Sequence, residues 1–329
     1  ITVDNTSAVT VTIDGVRRSD FDSSTTGVSE TDTRATLEDL TTTAVGPIKL
    51  VAEDGTLTVN AGTAGTFGVS AGGASDVLLE ARNGGTTGND VIINADILSG
   101  GGHITLNAAD DVDVNDVITT SGTGTVYINA GNDNATGIAP LGTNGIELDG
   151  VVTTGSGDVL LTSSEDIRQT ALITSTNGDV SLVAANNITQ TATGDITTTS
   201  GNVLVKATDG NWTMAGDSLV FANNTVITAG GGDVLGLAGN NIVLGVISVT
   251  NGVANRVALD ATTGSITDAN GAAINIQETV AAATTSVSLR GVAGQIGAIG
   301  GLVPRLSDNA IDLNVDVVAA RSASGIYLR

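Results

Sequence analysis

A short alternating phrase that returns at intervals of roughly twenty to thirty residues constrains this chain more than any other feature. From Gly157 to Trp212 the sequence reads "GDVLLTSSEDIRQTALITSTNGDVSLVAANNITQTATGDITTTSGNVLVKATDGNW". Each pass opens with Gly, Asp or Asn, then Val. It alternates through an aliphatic to a small residue and closes on an Asp/Asn-Ile step. A fixed period of this kind marks one supersecondary unit stacked on the next. The first inward aliphatic of each pass falls at Ile48, Val77, Ile104, Val126, Val159, Val180, Val203, Val234, Val257, Val287 and Ile311, at intervals of 21 to 33. Two positions on stands Leu, Ile or Val, with Gly236 as the break. Two further on stands Ala or Ser, as in Ala81, Ala108, Ser163 and Ala207. This is the period of a strand with one buried face.

Two more aliphatic positions follow in each pass. The first includes Leu57, Val112, Ile167, Ile188, Ile242, Ile266 and Ile296, with Trp212 in the slot once. The second includes Ile118, Ile173, Ile196, Ile247 and Ile274. Three short strands per pass predict an all-β, triangular parallel β-solenoid, each strand pairing with its equivalent about 4.8 Å away in the next coil. About thirteen coils would span on the order of 60 Å. Stacked Val and Ile fill a narrow core without aromatics, which make up only 2% of the 329 residues. The rival is an antiparallel β-sandwich array. Sandwiches show hairpin turns and aromatic cores, and this chain lacks that pattern. Residues 46–329 read as solenoid. Residues 1–45 fit less well and read as an irregular first coil, the end of a preceding repeat, a corner insertion, or a short helix over an edge at "TRATLEDL".

The chain carries 12 Lys and Arg against 35 Asp and Glu, a formal net charge of −23. Such a surface repels phosphate backbones, so nucleic acid is not an expected partner. Zero cysteines removes disulfides, Cys-zinc sites and Cys nucleophiles from consideration. No run of eighteen apolar residues predicts a membrane-spanning helix. The chain opens inside the strand-like phrase "ITVDNTSAVTVTIDGV" and ends inside "SGIYLR", where Ile326 and Leu328 alternate. The expectation is that further coils, or copies of the same protein, stack on its ends.

The phrase "GDVSLVAANNITQTATGDITTTSGNVLVKA" resembles the repeats of filamentous haemagglutinin-type bacterial exoproteins and giant surface adhesins, and the resemblance covers roughly residues 46–329. "IDLNVDVVAARSASGIYLR" resembles segments that connect such repeats. The resemblance implies a right-handed parallel β-helix, an exported bacterial origin at the cell surface or outside the cell, and a non-enzymatic stalk. It implies neighbouring coils or copies as partners, and a glycan or protein as the ligand of an adhesin. A coat or filament subunit is the alternative within this class.

An enzyme is the competing class. Glycan-active β-helices need clustered carboxylates with basic groups and aromatic platforms. The single histidine, His103, sits just before Ile104 and reads as a solvated strand-edge residue. Asp110-Asp111 and Glu165-Asp166 occupy one equivalent corner, where solvated turn residues explain them. No catalytic residue is assigned.

Calcium is the cofactor the sequence raises, because carboxylates and turn carbonyls suit it. "GGTTGNDVI" partly resembles a calcium-binding Gly/Asp nonapeptide and "AGNDNATGI" less so, which makes Asp90 and Asp133 the metal candidates. Neither phrase repeats in tandem. Asp111, Asp166, Asn187 and Asn241, with Asn186 and Asn240 beside them, predict a hydrogen-bonded ladder at a turn. Gly157, Gly178, Gly201 and Gly232 are expected to supply positive φ at another corner. Five Asn-x-Ser/Thr sequons, at Asn5, Asn134, Asn187, Asn211 and Asn223, are what chance gives in so Asn- and Thr-rich a chain. Trp212 and Met214 read as a local core plug beside the insertion between Val203 and Val234, where an adhesin would carry its epitope.

Overall fold

The computed structural model describes residues 2–3, 11–13, 39–62, 66–85, 88–131, 145–208, 217–250, 254–279, 284–299 and 308–329. Every strand among them but two lies in one of three parallel sheets of 12, 10 and 11 strands, called sheets 1, 2 and 3 below. Each coil gives a strand to each sheet in turn, except that the last two coils meet sheet 2, and the last coil sheet 3, only through isolated bridges, and each strand's neighbours in its sheet are the equivalent strands one coil away. This is a three-sided parallel β-solenoid. The twelve strands of sheet 1 set twelve coils rather than thirteen, about 55 Å of rod at the strand spacing. The two exceptions, Ala298–Ile299 and Asp308–Asn309, pair antiparallel at a corner.

The alternation set the register. In sheet 1, Val159 pairs with Val180 and Val180 with Val203, all at most 1% exposed. Ala108, Ala130, Ser163, Ala184 and Ala207 form a second inward column. Sheet 2 stacks Ile167 on Ile188, and sheet 3 stacks Ile173 on Ile196. Like stacks on like, so small β-branched side chains fill the interior. Gly236 is filled by a neighbour, because the Leu259 Cδ2 atom occupies the space a Cβ would need.

Three positions depart from the sequence reading. Val287 pairs with Val318, so Val318 and not Ile311 continues the first column. Ile311 instead bridges Leu328. Ile276 pairs with Ile247 and is fully buried, whereas Ile274 is 39% exposed. The slot assigned to Trp212 belongs to Leu219, which pairs with Ile188 and Ile242. Each error lies beside a corner of unequal length, where counting from the previous strand loses phase. Ile326 and Leu328 join the stack only as isolated bridges and remain 44% and 37% exposed.

Residues 1–45 contribute a strand to each sheet: Thr2–Val3, Val11–Ile13 and Leu40–Thr42 pair with the next coil. Most of "TRATLEDL" lies outside the described residues, and its last residue, Leu40, begins a strand.

The glycine column has a different cause from the one expected. Gly157, Gly178, Gly201 and Gly232 are not among the residues with positive φ. Each faces the glycine one coil before it so closely that an added Cβ would overlap that carbonyl: Gly157 on Gly124, Gly178 on Gly157, Gly201 on Gly178, Gly232 on Gly201. Close backbone approach, not backbone handedness, demands glycine here. The same carbonyls accept buried hydroxyls. Thr154 and Ser175 donate to the Gly157 oxygen at 2.7 and 3.1 Å, and Thr198 to Gly201 at 2.7 Å.

Candidate functional site

Polar residues just before the strands build ladders along the rod. Asn187 N donates to Asp166 Oδ1 (2.8 Å), Ser218 N to Asn187 Oδ1 (3.1 Å) and Ser265 N to Asn241 Oδ1 (2.9 Å). The expected ladder is present, with side-chain oxygens capping backbone amides of the next coil. Asn187, also a sequon residue, is a rung. A second ladder precedes sheet 1. Asp179 N donates to Asp158, Asn202 N to Asp179, Asp233 N to Asn202 and Arg256 N to Asp233, all at 2.7–2.9 Å. Asp and Asn suit this slot because a short side chain reaches a neighbouring amide.

His103 is a rung of that second ladder. It is exposed, its backbone N donates to Asp76 Oδ1 (2.8 Å), and its Nδ1 accepts from Thr125 N (3.2 Å).

At the corner between sheets 1 and 2, Asp90, Asp110 and Asp111 converge, each with a carboxylate oxygen within 4.8 Å of the others. The sequence reading named Asp90 and the Asp110-Asp111 pair separately, and parallel stacking of adjacent coils joins them. Asp110 and Asp111 are each 1% exposed, which corrects the reading of that pair as solvated turn residues. Asp111 N donates to Asp90 Oδ1 (3.3 Å), and Asp111 Oδ1 accepts from Gly145 N. Gly85 and Gly88 hold positive φ on the approach to Asp90. These three carboxylates are the described residues that could hold a hard divalent cation. Calcium takes about six to eight oxygens, so the triad supplies part of a shell. Asp133, Trp212 and Met214 lie outside the described residues. Glu165-Asp166 occupies the same slot two coils on, because Val112 pairs with Ile146 and Ile146 with Ile167. One whole coil separates the two acidic pairs, so they form no dyad. Glu165 is also buried, at 7%.

Between sheets 2 and 3 the outer corner is acidic as well. Burial, then the Asn115 hydrogen bond that opposes it, then the charges of Asp149 and Asp90 act on Asp113, and the net effect raises its pKa above the usual carboxylate range. Asp96 is raised by burial and by the adjoining Asp116 carboxyl. Glu147, 6% exposed, pairs with Arg168 across the strands.

The outer face of sheet 1 holds a shallow depression of about 530 Å³ lined by Asp179, Asn202, Leu204, Asp233, Leu235 and Arg256. Its two carboxylates stand two coils apart, and each already caps a backbone amide of the ladder.

No family model, curated protein or solved structure matches the chain.

A buried pair that the sequence reading missed lies in sheet 2. Gln169 and Gln190 stack at full burial in a column that otherwise holds Leu148 and Phe221. The signal was available in the phrases "DIRQT" and "NITQT", where Gln takes an inward position of the two-residue period.

Proposed function

We propose that this chain is a rod-forming, non-enzymatic segment of a bacterial cell-surface or secreted protein. The observation that carries the reading is the pair of polar ladders. The Asp, Asn and His residues that would do chemistry in an enzyme are spent here on tying each coil to the next. With three sheets paired strand to strand along the rod, bending it strains many backbone hydrogen bonds together. Stiffness is then the property the sequence maintains. The cysteine-free, acidic composition and the likeness to exoprotein repeats support an extracellular setting. Displaying or spacing something beyond the envelope is the role such a rod performs.

The groove on sheet 1 favours a second reading, a glycan-active solenoid using Asp179 and Asp233. One experiment separates the two. The protein is incubated with a panel of acidic and neutral polysaccharides, with and without calcium, and new reducing ends and unsaturated products are measured. The rod reading expects none. Turnover that disappears in Asp179→Asn or Asp233→Asn would replace it with the enzymatic one.

A further inference from the structure

Half of the described basic side chains sit on one end of one face. Of the eight Lys and Arg among the described residues, Lys206, Arg256, Arg290 and Arg321 lie on the outer side of sheet 1 in its last five strands. Arg290 and Arg321 stand directly opposite each other on adjacent strands. Like charges in that relation destabilise a sheet. Arg290 reaches Asp260 at 2.9 Å, while Arg256 and Arg321 are exposed and make no ion pair among the described residues. The other nearby carboxylates are engaged, Asp233 by the Arg256 amide and Asp316 by the Thr285 amide. Across these strands runs a row of small or apolar outward residues, with Leu235 at 37% exposure beside Ala258, then Ser288, then Ala319.

The opposite character occurs at the corner of sheets 2 and 3, where Asp113, Asp116 and Asp149 lie on two adjacent coils. Arg168, the basic group beside them, pairs with the buried Glu147 and also lies 3.7 Å from Asp149 Oδ1, so one cation serves this whole group of carboxylates. Burial is the main cause of the raised proton affinity of Asp113 and Asp96, and neighbouring carboxyls add to it, Asp149 and Asp90 at the first and Asp116 at the second. Two arginines on adjacent coils thus match carboxylates on adjacent coils, and the spacing matches because one strand repeat sets both. The patches face different directions on one rod, so they cannot neutralise each other within a molecule. In coil order Arg290 lies seven strands beyond Asp116, and Arg321 seven beyond Asp149.

We propose that the arginine-bearing outer face of sheet 1 docks on the Asp116–Asp149 corner of a second copy of this chain, with the two rods side by side and staggered by seven coils. The stagger is about 34 Å at the strand spacing. The contact is heterologous, so it propagates into an open staggered array and does not close as a dimer. Six-residue strands over three or four coils give a patch of about 400 Å². A stable pair needs about 800 Å² per partner. Each single contact is therefore weak and salt-sensitive, and the array holds through its number of contacts.

The test is sedimentation velocity of the full chain over a concentration series, at low ionic strength and at 1 M salt, where the screening length is about 3 Å. Concentration-dependent association at low salt and a monomer at high salt are expected. Arg290→Glu with Arg321→Glu should weaken association about tenfold or more, and so should Asp116→Lys with Asp149→Lys. An equimolar mixture of the two variants should associate again, because each restores the complement of the other. Circular dichroism and melting of each variant establish that it is folded. A wild type that stays monomeric at low salt, an arginine variant that associates as before, or folded variants that fail to associate when mixed would each overturn the proposal. Binding of polygalacturonate to the wild type but not to the arginine variant, without self-association, would reassign the face to an acidic glycan. Small-angle scattering in 1 M salt measures the isolated rod, so the rod reading stands or falls separately.

Discussion

Gln190 Nε2 donates to Gln169 Oε1 at 2.7 Å, one coil apart, with both side chains fully buried. Gln169 Nε2 donates onward to the carbonyls of Ala171 and Asp195, both at 2.9 Å, and Gln190 Nε2 also donates to Gly194 at 3.0 Å. The pair therefore ties a sheet 2 strand to the turn that leads into sheet 3. Replacing Gln169 by Leu leaves buried groups unsatisfied and should cost about 1–3 kcal/mol. Adding Gln190→Leu should cost less than its own single effect, because the group it would orphan is already gone. Urea unfolding of the two single variants and the double variant measures the coupling, and strict additivity would refute it.

Val180 tests the register of the whole rod. It is fully buried between Val159 and Val203. Val180→Asp puts an unpaired carboxylate in a dry core and should destabilise by about 4 kcal/mol or more. Chemical denaturation at neutral pH reads this directly. A near-neutral effect would mean that the column faces solvent.

Two glycines separate close approach from handedness. Gly178 has an ordinary φ but no room for a Cβ against Gly157, whereas Gly122 holds φ +58° with open space around it. Gly178→Ala must push two coils apart and should cost about 2–3 kcal/mol. Gly122→Ala meets only the left-handed penalty, about 1–2 kcal/mol. Melting temperatures of the two variants should fall in that order.

Asp113 gives a pH signature. Burial and the Asp149 and Asp90 charges raise its folded pKa above the unfolded value. The folded state then binds the proton more tightly than the unfolded chain does. This group's penalty is fully present above its folded pKa and fades as pH falls towards the ordinary Asp range. Asp113→Asn should therefore raise the melting temperature at pH 7 and give progressively less benefit as pH drops through that window. A benefit that grows on acidification would contradict this sign.

The amino-acid sequence by itself determined the coil. Alternation of Val, Ile, Leu and Ala at a two-residue period, repeated every turn, leaves one face per strand to bury, and stacking like on like is the arrangement that buries it without aromatics. Phase within a sheet followed from that alone, which is why Val159, Val180 and Val203 stand where the pattern put them. The tertiary structure decided what lies at the corners, because corner lengths vary and a residue's partner there is one coil away and twenty to thirty residues distant. That is why Ile311 and Ile274 gave up their columns to Val318 and Ile276. It is why the glycine column answers to a neighbouring carbonyl and not to its own φ. The meeting of Asp90 with Asp110 and Asp111, and of Arg290 with Arg321, has the same origin. A local pattern specifies which face a residue takes. Only the stacking of coils specifies which residue it meets.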